Sequence, residues 1–216
     1  MTQIRIDFVS DVSCPWCALG LKSLQAALAR VAPGIDPEVR FQPFELNPGL
    51  PAQGVDFATH MAQKYDLKAI AHSQETLAER GAALGFHFDF ARRVRIYNTF
   101  DAHRLLHWAG IEGRQFELKL ALFQAYFTDG RDISDHQVLS DLAAGTGLDG
   151  TRAREVLQSG AFTAEVRERE QYYTSRGIHA VPSVIFNGRH LVQGGQPPEA
   201  FEQVLRQLAG QPAVPA

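Results

Sequence analysis

The chain has 216 residues, 45% of them hydrophobic and 21% charged, with a formal net charge of −3. That balance suits a globular chain with one large core, or one core and an appended subdomain, and excludes the disordered and low-complexity classes. Basic residues are dispersed among acids, as in Glu165-Val166-Arg167-Glu168-Arg169-Glu170, which reads as a solvated helix face, so nucleic acid is not an expected partner. No run approaches the roughly 18 apolar residues of a membrane span, and the N-terminus lacks a basic stretch followed by a long apolar core. No membrane association is expected, and the expected location is the cytoplasm.

In chain order, the apolar run at 4–10 reads as a strand. Residues 15–31, with Leu19, Leu24, Leu28 and Val31 at helical spacing, read as a helix. A second strand is predicted at 39–46, and Pro48 and Pro51 then interrupt the chain. From 50 to 177 no strand is expected. Helices are predicted there at 57–65, 69–84, 94–108, 116–128, 137–144, 152–158 and 164–176, with Gly85, Gly110, Gly130, Gly145 and Gly177 where C-terminal stops belong. Ser134-Asp135-His136-Gln137 has the form of a capping box. Strands return at 183–186 and 190–192, joined by the hairpin signal Asn187-Gly188. A last helix starts at Pro197-Pro198-Glu199 and runs to about Leu208, with Phe201, Val204, Leu205 and Leu208 on one stripe, and the tail at 211–216 is expected to fray.

The chemistry lies between the first strand and the first helix. Cys14-Pro15-Trp16-Cys17 contains the whole thiol inventory of the chain. With Cys14 as N-cap, Pro15 occupies the first helical position, where its missing N–H costs nothing. Cys17 then lies one turn in, its N–H able to point at the Cys14 sulfur. Unpaired N–H groups and the positive end of the helix dipole favour a thiolate at Cys14. Cys14 is thus the expected nucleophile and Cys17 the resolving thiol, which supplies both halves of a thiol-disulfide exchange cycle. A zinc site normally needs four ligands, and no second C-x-x-C is present. A structural disulfide across two residues would close too small a loop to restrain the unfolded chain. No metal is expected.

A βαβ segment carrying C-x-x-C, a helical stretch and a ββα segment follow the order of a thioredoxin-like α/β fold interrupted by a large helical insertion. The expected division is a thioredoxin-like domain at 1–50 and 178–216 and a helical insertion domain at 51–177. The sequence resembles the DsbA-like thioredoxin superfamily, in particular its FrnE-like branch of cytoplasmic dithiol oxidoreductases. The resemblance rests on Asp11-Val12-Ser13-Cys14-Pro15-Trp16-Cys17, Phe44-Glu45-Leu46-Asn47-Pro48, Asn98-Thr99 with Ala102-His103-Arg104-Leu105, and Gly177-Ile178-His179-Ala180-Val181-Pro182-Ser183 followed by Gly194-Gly195-Gln196. It implies a cis peptide bond before Pro182, on a loop facing Cys14, where the backbone of Val181 would pair with an extended substrate. The alternative reading is that Pro182 starts an edge strand, a common location for proline.

Other candidates each have a structural alternative. Trp16 is either an exposed aromatic surface for substrate or packing over the helix start. Asn98 and His103 are candidate substrate-binding residues by the resemblance. His103 and His107 are spaced i, i+4 as for a metal, against a buried helix histidine. Glu45 is a candidate proton acceptor for Cys17 or a surface carboxylate. Asp11, if close, would oppose a Cys14 thiolate. The favoured function is a thiol-disulfide oxidoreductase or isomerase acting on protein or small-molecule thiols and disulfides, recycled by a cellular reductant, without a bound cofactor but with glutathione as a candidate co-substrate. The alternatives are a glutathione-dependent isomerase or transferase of the kappa-class or 2-hydroxychromene-2-carboxylate isomerase type, and a redox-sensing holdase-like binding protein. Kappa-class relatives have a serine at the first cysteine position, so the intact pair counts against that alternative.

Overall fold

The computed structural model describes residues 1–51 and 53–210. Strand β1 (Thr2–Ser10), helix α1 (Pro15–Val31) and strand β2 (Ile35–Pro43) form a parallel crossover unit. The middle of the chain adds β3 (Val55–Asp56), α2 (Phe57–Ala62), α3 (Leu67–Ala83), β4 (Arg95–Ile96), α4 (Phe100–Ile111), α5 (Gln115–Phe127), α6 (His136–Gly145), α7 (Gly150–Ser159) and α8 (Thr163–Thr174). The chain ends in the hairpin β5 (Ser183–Phe186) and β6 (His190–Gln193), followed by α9 (Pro198–Leu208). The main sheet has the order β2-β1-β5-β6, with β5 and β6 antiparallel to their neighbours. Among the described residues no helix is long and apolar enough to cross a membrane.

β1 is buried on both faces because it is central. Its alternate residues Ile4, Ile6 and Phe8 enter the main core, while Val9 belongs to a smaller cluster with Tyr173 and Ile178. α9 packs along α1 through the fully buried Phe201 and Leu205, and α5 and α8 pack against β2. The hairpin turn has Asn187 at φ 49° and Gly188 at φ 68°, both left-handed, with the Arg189 N–H donating to the Phe186 carbonyl at 3.0 Å.

Several sequence expectations shift. β2 spans Ile35–Pro43 rather than 39–46, because parallel pairing with β1 runs from Thr2↔Ile35 to Ser10↔Pro43 and stops where β1 stops. Phe44, Glu45 and Leu46 leave the sheet, and the Leu46 N–H donates to Asp11 Oδ2 at 2.7 Å. Two short strands occur where none was expected, β3 and β4 pairing antiparallel. The helix predicted from 94 begins only at Phe100, since Arg95 and Ile96 are extended and Asn98 Oδ1 accepts from the Phe100 N–H at 2.9 Å. Gly110 is inside α4, and the left-handed residue after it is Gly113 at φ 70°. α6 is capped by Asp135 accepting from the Val138 N–H at 2.8 Å, rather than by Ser134. The tail at 211–216 falls outside the described residues.

Arg104, buried on α4, locks that helix to the segment around α7. Its guanidinium donates to the carbonyls of Ala161 (2.7 Å), Leu157 (3.4 Å) and Val156 and pairs with Asp101 at 2.5 Å. Three buried carbonyls depend on this one side chain, so Arg104→Met is expected to lower the unfolding free energy by about 3 kcal/mol. Urea unfolding checks it; a change below about 0.5 kcal/mol, the range of ordinary surface substitutions, would show that the carbonyls find other partners.

Candidate active site

The strand-to-helix junction presents both cysteines. Cys14 is the N-cap of α1 with extended backbone (φ −91°, ψ 114°), and Pro15 is the first helical residue. Both thiols are free; Cys14 retains 4% exposure and Cys17 none. The Cys17 N–H donates to the Cys14 carbonyl at 3.1 Å rather than to its sulfur. The Cys14 thiol instead donates to the carbonyl of Val181, with sulfur and oxygen 3.8 Å apart across 167 positions of sequence. A protonated thiol is a donor, so a carbonyl is the better partner for it than an N–H.

The loop that supplies this carbonyl is held from behind. The Val181–Pro182 peptide bond is cis, as is Ala32–Pro33. Pro182 precedes β5, which is an interior strand of the sheet. A Cβ at Gly20 of α1 would lie 3.2 Å from Pro182 Cγ, so a glycine lets the loop approach the helix. The Pro182 carbonyl accepts from the Gly194 N–H at 2.8 Å, and Ser183 Oγ donates to the Ala180 carbonyl at 2.8 Å. Among the described residues the Val181 N–H has no acceptor.

Buried charge surrounds Cys17. Burial pushes the Cys17 thiol well up, its Cys14 neighbour adds to the rise, and the Lys119 ammonium opposes it. Lys119 is 1% exposed on α5, its Nζ 5.0 Å from the Phe123 ring centroid and 5.8 Å from that of Phe41. Burial lowers its pKa to about 8. Asp11 is fully buried, yet its carboxyl stays below the ordinary range. The burial penalty is outweighed by His103 together with the Leu46 and Ser13 N–H groups. Asp11 is therefore oriented to these donors, with His103 Nε2 at 3.6 Å from Oδ1.

Outside Cys14 a cleft of about 390 Å³ opens, lined by Trp16, Val181, Leu46, Asn47 and residues of α2, α3 and the segment before β4. Trp16 makes contacts on two sides. It lines the cleft under the Arg80 guanidinium, 5.8 Å from the ring centroid, and it packs so closely on Gly195 that a Cβ there would come within 2.9 Å of the ring. A larger groove of about 690 Å³ runs along β2 with His103 and Lys119 among its lining residues, but neither cysteine reaches it.

The structure thus brings together Cys14, Cys17, Trp16, Val181 and Pro182, and places three other sequence candidates elsewhere. Glu45 is buried against Arg167 of α8, and the groups acting on Cys17 are Cys14 and Lys119 instead. Asn98 is used at the start of α4, with its Nδ2 donating to the Pro48 carbonyl at 3.4 Å. His103 is 3% exposed and bonds the Phe44 carbonyl at 3.1 Å, tying α4 to the loop after β2, while His107 lies against Phe162. Sequence reasoning missed Lys119, Arg93, His60 and Lys64. They lie far from the cysteines in the sequence, and no spacing signal connects them to the dithiol.

The DsbA-like thioredoxin domain model matches residues 5–206. A solved structure of a probable DsbA oxidoreductase from Streptomyces coelicolor is 32% identical with a TM-score of 0.86, covering 99% of this chain and 92% of that one. Two further structures share the fold. A 2-hydroxychromene-2-carboxylate isomerase is 18% identical with a TM-score of 0.70, covering 95% of this chain and 98% of that one. The cytosolic disulfide reductase DsbM from Pseudomonas aeruginosa, solved with glutathione, is 19% identical with a TM-score of 0.64, covering 94% of this chain and 98% of that one. With its dithiol at the start of α1 and a family match across nearly its whole length, the chain belongs to the DsbA-like thioredoxin domain family.

Proposed function

We propose that the protein is a cytoplasmic thiol-disulfide oxidoreductase in which Cys14 attacks and Cys17 resolves. The observation that carries this reading is the 3.8 Å contact between Cys14 and the Val181 carbonyl, with Cys14 at the cleft and Cys17 sealed behind it. The Cys14 thiolate attacks one sulfur of a substrate disulfide and releases the other as a thiolate. Cys17, deprotonated, then attacks the Cys14 sulfur, releases the second half and leaves a Cys14–Cys17 disulfide. Two electrons pass to the substrate, and the two thiol protons end on the released thiolates. A cellular thiol such as glutathione returns the pair to the dithiol. Val181 offers a carbonyl and an unpaired N–H to an extended substrate, a one-residue form of strand addition. In a reducing compartment reduction or isomerisation is the favoured direction.

The fold likeness to 2-hydroxychromene-2-carboxylate isomerase supports a second reading, glutathione-dependent isomerisation. The intact Cys17 weighs against it, since a bound glutathione needs no resolving thiol. A holdase role is disfavoured by the small volume of the cleft.

Lys119 is placed in this mechanism as a positioning residue acting through Cys17. Its ammonium lowers the cost of a Cys17 thiolate forming in an apolar surrounding.

Two outcomes are expected. Cys17→Ser abolishes turnover while Cys14 still forms a mixed disulfide that persists, seen as a stable adduct by mass spectrometry. Full activity of that variant in a glutathione-dependent isomerisation assay would favour the second reading. Lys119→Met raises stability at pH 7 and slows decay of the Cys14 mixed disulfide. The Lys119 pKa is 10.5 in the ordinary state and about 8 when buried, so the native protein is penalised for the charged lysine in full below pH 8. The penalty disappears as pH rises to 10.5, so the variant's advantage of about 3 kcal/mol should shrink to nothing across that window. Unfolding titrations of both proteins at several pH values check this, and a gap independent of pH would refute it.

A further inference from the structure

Arg93 is a buried cation without an anion. It sits just before β4 with 8% exposure, and it lines the cleft that also holds Cys14. Its guanidinium carbon lies 4.2 Å from the Phe57 ring centroid, 5.4 Å from Phe127, 5.5 Å from Phe90 and 5.7 Å from Tyr126. This aromatic box holds the guanidinium in place but accepts none of its in-plane hydrogen bonds. Nε and Nη1 are sealed from solvent without any acceptor, and no carboxylate pairs with the group among the described residues. Elsewhere in the molecule buried Arg104 has every kind of partner that Arg93 lacks: three carbonyls and a carboxylate. A buried guanidinium with unmade hydrogen bonds is costly, so its donors call for an acceptor that the fold itself does not supply.

The rest of the cleft has the same sign. Its described lining residues include Lys64 and no aspartate or glutamate, in a chain whose net charge is −3. Lys64 Nζ donates to Asn47 Oδ1 at 3.1 Å, which holds a second ammonium at the rim. The volume of about 390 Å³ suits a small molecule rather than a folded protein segment.

We propose that this cleft selects small disulfides bearing a carboxylate, and that Arg93 is the specificity-determining residue, its guanidinium receiving the carboxylate while the disulfide lies against Cys14. The proposal rests on the oxidoreductase reading above and uses the same chemistry. The Cys14 thiolate attacks R–S–S–R and expels RS⁻. Cys17 attacks the resulting mixed disulfide and expels a second RS⁻, which takes up the remaining thiol proton. The carboxylate does not react; it is bound in a charge-assisted contact where Arg93 lines the cleft.

Three disulfides of similar size and different charge test this: 3,3′-dithiodipropionate, bis(2-hydroxyethyl) disulfide and cystamine. Each is mixed with the reduced full-length protein, and the rate of dithiol oxidation is divided by that of dithiothreitol with the same disulfide to remove intrinsic reactivity. Wild type is expected to favour the dicarboxylate over the diamine by roughly 10- to 100-fold, the range of a charged hydrogen bond. Arg93→Met should bring that ratio close to one, and Arg93→Lys should retain part of it. A wild-type ratio near one, or a ratio unchanged in Arg93→Met, overturns the proposal. Should the methionine variant not fold, the wild-type ratio and the lysine variant decide. Failure of all three disulfides, the neutral one included, to oxidise the protein would instead sink the oxidoreductase reading itself.

Discussion

Pairing on both edges of β1 is the constraint from which the site follows. β2 lies parallel on one side and β5 antiparallel on the other, so the end of β1 that leads to Cys14 lies beside the start of β5. The loop before β5 then has one place to go, against the first turn of α1, and Val181 arrives at the Cys14 sulfur from 167 residues away. Gly20 and Gly195 are the two positions where a side chain would close this meeting point, one facing Pro182 and the other facing Trp16. The reactive thiol is thus located by backbone hydrogen bonding of the sheet, with side chains trimmed to admit it.

Beneath that junction burial raises the Cys17 thiol, and the charge buried with it works in the opposite direction. Cys17, Lys119 and Asp11 are buried near one another, and the Lys119 ammonium feels both Cys17 and Asp11. Asp11 keeps its charge because two backbone N–H groups and His103 satisfy it. Lys119 has aromatic rings rather than a carboxylate against its ammonium, so burial lowers its pKa. A thiolate forming at Cys17 would supply the missing counter-charge. Burial and Cys14 still hold the Cys17 thiol well up, and the Lys119 ammonium offsets part of that cost for the thiolate.

The cleft is assembled from the middle of the chain. α2 and the loop after it, α3 and the segment before β4 supply Phe57, His60, Lys64, Leu77 and Arg93, while the sheet unit supplies its cysteine helix, Leu46 and Asn47 after β2, and the Val181 loop. The dithiol and the walls of the cleft thus come from different parts of the chain.

Much of this was legible in the residues. Cys14-Pro15-Trp16-Cys17 between an apolar run and a helical one, Asn187-Gly188 between two short strands, and the stripe through Phe201 and Leu205 are local signals, because turn chemistry, capping and periodicity act over a few residues. The DsbA-like resemblance rested on blocks that the family match spans. The extent of β2 was not legible, since Ile35 and Asp36 are extended only because β1 lies alongside them. Nor were β3 and β4, two-residue strands that exist by pairing with each other across 40 positions. Glu45, Asn98 and His103 read as site residues by their position in matching blocks, yet tertiary packing gives them Arg167, Pro48 and Phe44 as partners. Lys119 and Arg93 carry no local mark at all, because a charge becomes chemically informative only when folding removes the water around it. The sequence by itself determined the dithiol, its place on a helix start and the family; the tertiary structure decided which charges face the sulfurs, because that depends on which distant helices exclude solvent there.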